Sequence, residues 1–347
     1  MSPKEEGYFF PAEWHTHVAT WITFPHNDHS WQKEKLGQMY PEYFALIKAI
    51  SQGEQVRINV NSIELKAFVE GQLPVYGIDP GKIEFNVQPT NDAWCRDHGP
   101  AFLLKEDTAD RLVIDWEYNA WGGKYPPFSD DNALPNSIAS RLQLAIASPG
   151  IIMEGGSVEF NGAGTVLTSR SCLLNPNRNP HLNQAQIEEY LTNYYGVSQV
   201  LWVSDGIVGD DTDGHIDDTV RFVNANTVIA MVEPNESDEN HAVLAANLAE
   251  LKQMTLLDGS SLQIVEIPMP DAVVINGFRA TGSYANFYIC NAGVLVPTFN
   301  CPQDEIALGI LSQLFTDRPV IGLSAREIIW GQGSFHCLTQ QEPAPCV

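Results

Sequence analysis

Five carboxylates and one histidine crowd into the nine residues DDTDGHIDD at positions 210–218, with no lysine or arginine among them. Two like charges about 4 Å apart repel by roughly 4 kcal/mol at an effective dielectric near 20, so such a run calls for a positive partner. Four further polar clusters stand in a similar context, each beside an apolar, β-rich run: TNDAWCRDHGP (90–100), MEGGS (153–157), TGSYA (281–285) and WGQGSFHCLTQQ (330–341). A plain β-protein needs no such clusters. If they converge in space, Asp97, Glu154, His215, Asp217 and Cys337 share one pocket, although up to hundreds of residues separate them.

Cys337 follows the glycine-rich approach GQGSFH, which allows close backbone contact and unusual dihedrals. A cysteine so placed, with a distant histidine available, is a candidate nucleophile. Cys172 and Cys290 lie in apolar strand runs and read as core. Cys95 and Cys301 have no evident role, and Cys346 is one residue from the C-terminus. His215 admits three readings: a structural histidine, a general acid/base whose cationic form neighbouring carboxylates support, or a metal ligand with Asp217 and Asp218. The metal reading is the weakest, because HxD lacks an ordinary zinc spacing and no second histidine stands at i+4. GAG at 162–164 reads as a hairpin turn, and no Walker-type GK[ST] occurs. Trp94, Trp116 and Trp121 are candidates for a pocket wall, although core packing is the common fate of tryptophan.

The elements that must carry these residues repeat. SVEFNGAGTVLTS (157–169), TVRFVNANTVIAMV (219–232) and NFYICNAGVLVPTF (286–299) each join two apolar runs by an Asn-containing turn and predict β-hairpins. AFLLKEDTADRLVIDW (101–116) is the same unit with a longer connection, and HVATWITFP (17–25) supplies one arm of a fifth. Apolar spacing near three or four predicts helices over 40–51, 183–196, 240–254 and 304–315, and short β-type runs occupy 56–60, 199–203 and 262–267. The hairpins begin at intervals of roughly 55 to 70 residues, a repeat architecture of five units that uses up the chain. No Pro/Gly/Ser-rich linker interrupts the series, so residues 1–347 are expected to form one α/β catalytic domain.

Composition narrows the partners. Nineteen basic residues against 43 acidic ones give a formal charge of −24, which disfavours nucleic acid and anionic membrane surfaces and favours a cationic ligand. The N-terminal MSPKEEGYFFPAEW has no long apolar segment of a secretory signal, and no run of about 18 apolar residues predicts a membrane span. Six cysteines without a CxxC pair suggest a reduced, cytoplasmic protein with neither a disulfide framework nor a zinc knuckle.

Taken together, these segments resemble the agmatine deiminase family, a branch of the guanidine-modifying (pentein) superfamily of peptidylarginine deiminase-like hydrolases. The resemblance runs through PAEWHTHVATW (11–21), NDAWCRDHGP (91–100), EGGSVEFNGAGTVLTSRSCLLNPNRNP (154–180), DDTDGHIDDTVRFV (210–223), SYANFYICN (283–291) and GSFHCLTQQ (333–341), in the family's order and over nearly the whole chain. It implies a five-fold pseudosymmetric α/β propeller (the pentein fold) of ββαβ-type repeats. By motif it implies Cys337 as nucleophile, His215 as general acid/base, Glu154 as a second acid beside the histidine, and Asp97 and Asp217 as carboxylates gripping a guanidinium. Asp211 falls where the family binds agmatine, and Trp94 belongs with it on the substrate side. Two segments depart from the family: GQGSFHC replaces the usual GGGNIHC, changing Gln332, Ser334 and Phe335, and FPHNDHSW (24–31) lacks the Arg of the common form. Neither departure removes a catalytic group, and both bear on the rest of the pocket.

The chemistry so implied is hydrolysis of a small cationic guanidine substrate through an amidino-cysteine intermediate, without metal or cofactor. Agmatine would give N-carbamoylputrescine, an intermediate on the way to putrescine. Rival readings keep the superfamily but change the substrate to free or peptidyl arginine, or abandon catalysis for a binder of cationic ligands. A cysteine peptidase is a third, though five acids around a His–Cys pair suit peptide hydrolysis badly. Homo-oligomers are common among such enzymes, but the sequence points to no interface.

Overall fold

A computed structural model describes all residues, Met1–Val347. Its architecture is mixed α/β, with six separate sheets, none of which closes on itself. Five of them share one plan: an antiparallel pair whose second strand runs parallel to a third strand that arrives after a helix. Val158–Phe160 and Thr165–Ser169 form one pair, and helix Gln184–Tyr195 leads into Gln199–Val203 beside it. Val220–Asn224, Thr227–Val232, helix His241–Leu251 and Gln263–Pro268 repeat the plan. Tyr288–Cys290, Gly293–Thr298, helix Gln303–Leu314 and Val320–Ser324 do so again, as do Ala101–Lys105, Arg111–Ile114, helix Leu134–Leu142 and Ala145–Ala147.

The fifth pair joins the two ends of the chain. His17–Thr23 pairs antiparallel with Thr339–Pro343, Ile22 opposite Thr339, and parallel with Gln55–Val60 after helix Lys33–Ser51. The partner of the 17–25 arm could not be read locally, because it lies more than 300 residues away. The first helix also starts seven residues before the expected 40. Pro41 looks like an N-terminal helix signal but sits inside the helix, whose buried face already includes Met39.

Local chemistry explains the element ends. Asn183 and Gln186 form a reciprocal capping box at the start of helix Gln184–Tyr195, and Gly196 ends it in the left-handed conformation at φ 73°. The apolar faces gather into a large cluster around Phe24, Tyr43, Phe44 and Tyr288, with separate clusters around Tyr195, around Phe222 and around Trp21. No helix is long and apolar enough to cross a membrane.

One feature of the frame places the site. Immediately before the first strand of each antiparallel pair, or before its closing strand in the fifth, the chain makes one helical turn: Cys95–His98, Gly155–Ser157, Ile216–Asp218, Tyr284–Asn286 and Phe335–Leu338. Each turn packs against the next in that order, and the last packs against the first. The five polar clusters of the sequence are these five turns and their flanks.

Candidate active site

Each turn contributes a side chain to a common centre. Asp97 comes from the first and Glu154 from the residue before the second, while His215 and Asp217 flank and occupy the third. Asn286 closes the fourth and Cys337 lies in the fifth. Close approach depends on glycine: a Cβ on Gly156 would lie 2.6 Å from His215 Nδ1, 2.9 Å from Asp97 Oδ1 and 3.0 Å from Asp217 Oδ2. Only a residue without a side chain lets these three groups converge.

His215 Nδ1 is 3.7 Å from Asp97 Oδ1 and 4.0 Å from Asp217 Oδ1. Cys337 Sγ accepts a hydrogen bond from Asn286 Nδ2 at 3.0 Å and sits 3.7 Å from Asp217 Oδ2. Asp97 is held from two sides, by the Gly156 N–H at 2.9 Å and the Trp121 indole N–H at 3.0 Å. Glu154 receives Arg178 Nε on Oε1 at 2.9 Å, and its ligating oxygen, the Cys172 sulfur and a His215 ring nitrogen all lie within 4.8 Å of one another. Both His215 ring nitrogens, Glu154 Oε2 and Asp217 Oδ1 are buried without a hydrogen-bond partner. Buried polar groups are nearly always paired, so several orphans at one centre mark where a polar ligand belongs.

Charge and burial set the protonation states. Burial, then the neighbouring Asp217, Asp218 and Asp97 carboxylates, push the Cys337 thiol well above its ordinary value. Burial likewise raises Asp97, to about 6, with Asp217 and Glu154 adding to it and His215 working against it. For His215 burial disfavours the cation, but Asp97, the Cys172 sulfur and Asp217 outweigh it, and the imidazole titrates well above the usual range. Asp217 is also buried, yet its bond to His336 holds it below the usual carboxylate value. The resting centre is a neutral thiol beside an imidazolium and an ionised Asp217.

A cavity of about 200 Å³ opens onto this centre. Trp94, Asp97, Trp121, Tyr125, Asp211, Gln332 and Cys337 are among its walls. Trp94 stacks on Trp31 at 5.0 Å, and Asp211 accepts the Tyr125 hydroxyl at 2.6 Å. The structure thus brings Asp97, Asp211, Trp94 and Cys337 to one wall. His215, Asp217 and Glu154, expected in the same pocket, do not line it: they are fully buried behind Asp97 and Cys337. Trp116 packs instead in the cluster around Tyr195.

The acidic run 210–218 also differs from its expectation, because most of its charge is met within the protein. Asp210 accepts the N–H groups of Thr212, Gly214 and His215. Asp213 pairs with Lys124 at 2.7 Å and with Arg178, Asp217 with His336, and Asp218 with Asn286 Nδ2 at 3.0 Å. Of the carboxylates in this run only Asp211 lines the cavity, with Asp97 beside it, while Asp217 Oδ1 is left without a partner in the buried centre. The trio His215, Asp217 and Asp218 does not assemble as ligands either: His215 groups with Glu154 and Cys172, and the two aspartates with Cys337. Cys172 is buried as expected, but against the site.

Sequence reasoning missed the support. His336 bridges Asp217 Oδ2 at 2.6 Å and Glu13 Oε2 at 2.8 Å. Glu13 in turn meets Arg96 at 3.2 Å and Arg221 at 3.1 Å, and Arg221 pairs with Glu159 at 2.9 Å. Arg178 lies inside NPNRNP and Asn286 at the start of a predicted hairpin, where local pattern marks neither. The repeat itself carried the signal for Asn286: it stands two residues before its strand, as Cys337 does.

A buried thiol among carboxylates, at a cavity that two aspartates help to line on a mixed α/β frame, defines the class: a cysteine-centred site. The model of the Porphyromonas-type peptidyl-arginine deiminase family matches residues 9–343. The chain belongs to that family, within its agmatine deiminase branch of the pentein superfamily. A Legionella pneumophila protein provisionally classed as an agmatine deiminase is 35% identical over 346 residues, covering 99% of this chain and 97% of its own. The structure of agmatine deiminase from Enterococcus faecalis superposes with a TM-score of 0.91 at 29% identity, covering 100% of this chain and 98% of the other. A C. jejuni agmatine deiminase with substrate bound gives a TM-score of 0.88 at 30% identity, over 98% and 97% of the two chains.

Proposed function

We propose that this chain is an agmatine deiminase, a hydrolase of the C–N bond in a linear amidine, converting agmatine and water to N-carbamoylputrescine and ammonia. A guanidinium is planar, permanently charged and rich in N–H donors, which matches paired carboxylates. Asp97 and Asp217 grip it from two sides and present its central carbon to Cys337 Sγ, while Asp211 and Trp94 hold the remainder of the substrate in the cavity. The approach of Asp217 Oδ2 to Sγ at 3.7 Å, with both aspartates within about 4 Å of His215 Nδ1, carries this reading.

The bound cation offsets the carboxylates that keep the thiol protonated, so Cys337 gives up its proton to solvent and ionises only when substrate is present. Thiolate attack forms the S–C bond of a tetrahedral adduct. His215, resting as imidazolium, protonates the departing nitrogen, and ammonia leaves an amidino-cysteine. Neutral His215, steadied by Glu154, then takes a proton from water as the oxygen adds to the same carbon, and collapse breaks the S–C bond and frees the ureido product. No step calls on a metal or cofactor.

The same reading takes the five sheets and their cyclic turns as a five-fold pseudosymmetric propeller, residues 1–347 as one catalytic domain, and the six unpaired cysteines as suited to the cytoplasm. Agmatine, arginine and a blocked arginine peptide, offered separately, test the substrate through ureido product and ammonia. Agmatine is expected to be turned over, and Cys337→Ser to abolish turnover with the fold intact. Preference for free or peptidyl arginine would move the chain to another branch of the superfamily.

A further inference from the structure

Gln332 occupies a position that its backbone makes unfavourable for any residue with a side chain. Its φ is 71° and ψ 19°, in the left-handed region where Cβ crowds the chain and glycine is at ease. The conformation is fixed: its N–H donates to the Ile329 carbonyl at 3.0 Å, and its own carbonyl accepts the Thr281 hydroxyl. The flanking glycines admit no alternative place for a side chain. A Cβ on Gly331 would lie 2.4 Å from the Trp31 ring, and one on Gly333 2.6 Å from Trp94 and 3.2 Å from Cys337 Sγ. Of the three consecutive residues Gly331, Gln332 and Gly333, which line the cavity with Trp94, Asp97, Asp211 and Cys337, only Gln332 carries a side chain. The Gln332 Oε1 atom is buried and has no hydrogen-bond partner.

Two unfavourable features therefore coincide on one residue of the cavity lining, a left-handed backbone and an unpaired buried acceptor. A ligand N–H would relieve the second. From this geometry, and resting on the reading of the pocket as a guanidine site, we infer that Gln332 is a substrate-recognition residue: its Oε1 accepts an N–H of the cation while the acids below hold the rest. A neutral acceptor suits the position, because a further carboxylate beside Asp97 and Asp211 would add repulsion in the empty pocket.

The test is calorimetric titration of agmatine into Cys337→Ser, alone and combined with Q332G or Q332M. Glycine frees the backbone and removes the whole side chain; methionine keeps the length and the strained backbone and removes the amide. Both double variants should bind agmatine about tenfold more weakly, as expected for one lost hydrogen bond to a charged group. Q332G should at the same time melt at an equal or higher temperature than its parent, because left-handed strain is relieved. Binding within twofold of the parent in Q332M overturns the proposal, even if Q332G weakens, since shape alone would then account for the effect. If wild-type protein makes no ureido product yet Cys337→Ser binds agmatine in a Gln332-dependent way, the proposed reaction falls and this inference stands. If Cys337→Ser takes up no agmatine, both fall.

Discussion

His336 Nδ1 donates to Asp217 Oδ2 at 2.6 Å, while the opposite ring nitrogen meets Glu13 Oε2 at 2.8 Å. A carboxylate thus stands on each ring nitrogen, and all three side chains are buried. This contact keeps Asp217 ionised against the burial that would protonate it. It also occupies Oδ2, so that Oδ1 faces the centre unpartnered. Removing one member of a buried pair strands the other charge, at a cost of about 3–5 kcal/mol. His336→Gln should therefore lower the free energy of unfolding by about 3 kcal/mol in urea titrations and reduce turnover, since Asp217 then takes up a proton. A loss under about 1 kcal/mol would show that His336 is not what maintains that charge.

Binding of the cation should weaken in acid. Asp97 titrates at about 6 in the folded protein, above the unfolded carboxylate value. The sign follows from the raised value: above about pH 6 the folded protein carries an ionised Asp97 that burial disfavours, and below it the group is protonated. A guanidinium needs the ionised form. Below pH 6 it must expel a proton, and affinity should fall about tenfold per pH unit once that proton is bound. Calorimetry of agmatine with Cys337→Ser, in buffers of different ionisation heat, measures both the slope and the released proton. A flat profile from pH 7 to 5 would contradict the raised Asp97.

The nucleophile should be silent without substrate. Cys337 is raised well above an ordinary thiol by burial and by three aspartates. A difference titration of thiolate absorbance, wild type minus Cys337→Ser, should show no ionisation of this residue up to pH 9, the ordinary thiol value. A plateau near neutrality would mean that the free protein already holds a thiolate, and that substrate does not activate it.

Gly156 should tolerate no side chain. The Cβ of Gly156→Ala would enter the space among His215, Asp97 and Asp217, where the closest atom is 2.6 Å away. Displacement of reacting groups by about 1 Å can cost on the order of a hundredfold in rate. A loss of about that size in kcat, with the circular dichroism spectrum unchanged, is the expected outcome. Near-normal turnover would show that the three groups need not meet.

Local pattern settled a good part of this protein. Alternation and turn residues located four hairpins, and helical spacing located Gln184–Tyr195, His241–Leu251 and Gln303–Leu314 close to their ends, because those elements are specified by neighbouring residues. Polar clusters before apolar strands also picked out Asp97, Glu154, His215, Asp217 and Cys337, since such residues have no place in a purely apolar repeat.

What only the tertiary structure decided is how those residues are buried and paired. Burial and partners depend on groups distant in the chain: His336 on Glu13 from the N-terminal segment, Glu154 on Arg178, Cys337 on Asn286, and strand His17–Thr23 on the last strand of all. The sequence therefore displays the acids without showing which keep an acceptor free. An aspartate's charge is written in its residue type, but its pKa and its open oxygen are set by the dielectric and the donors that folding brings to it.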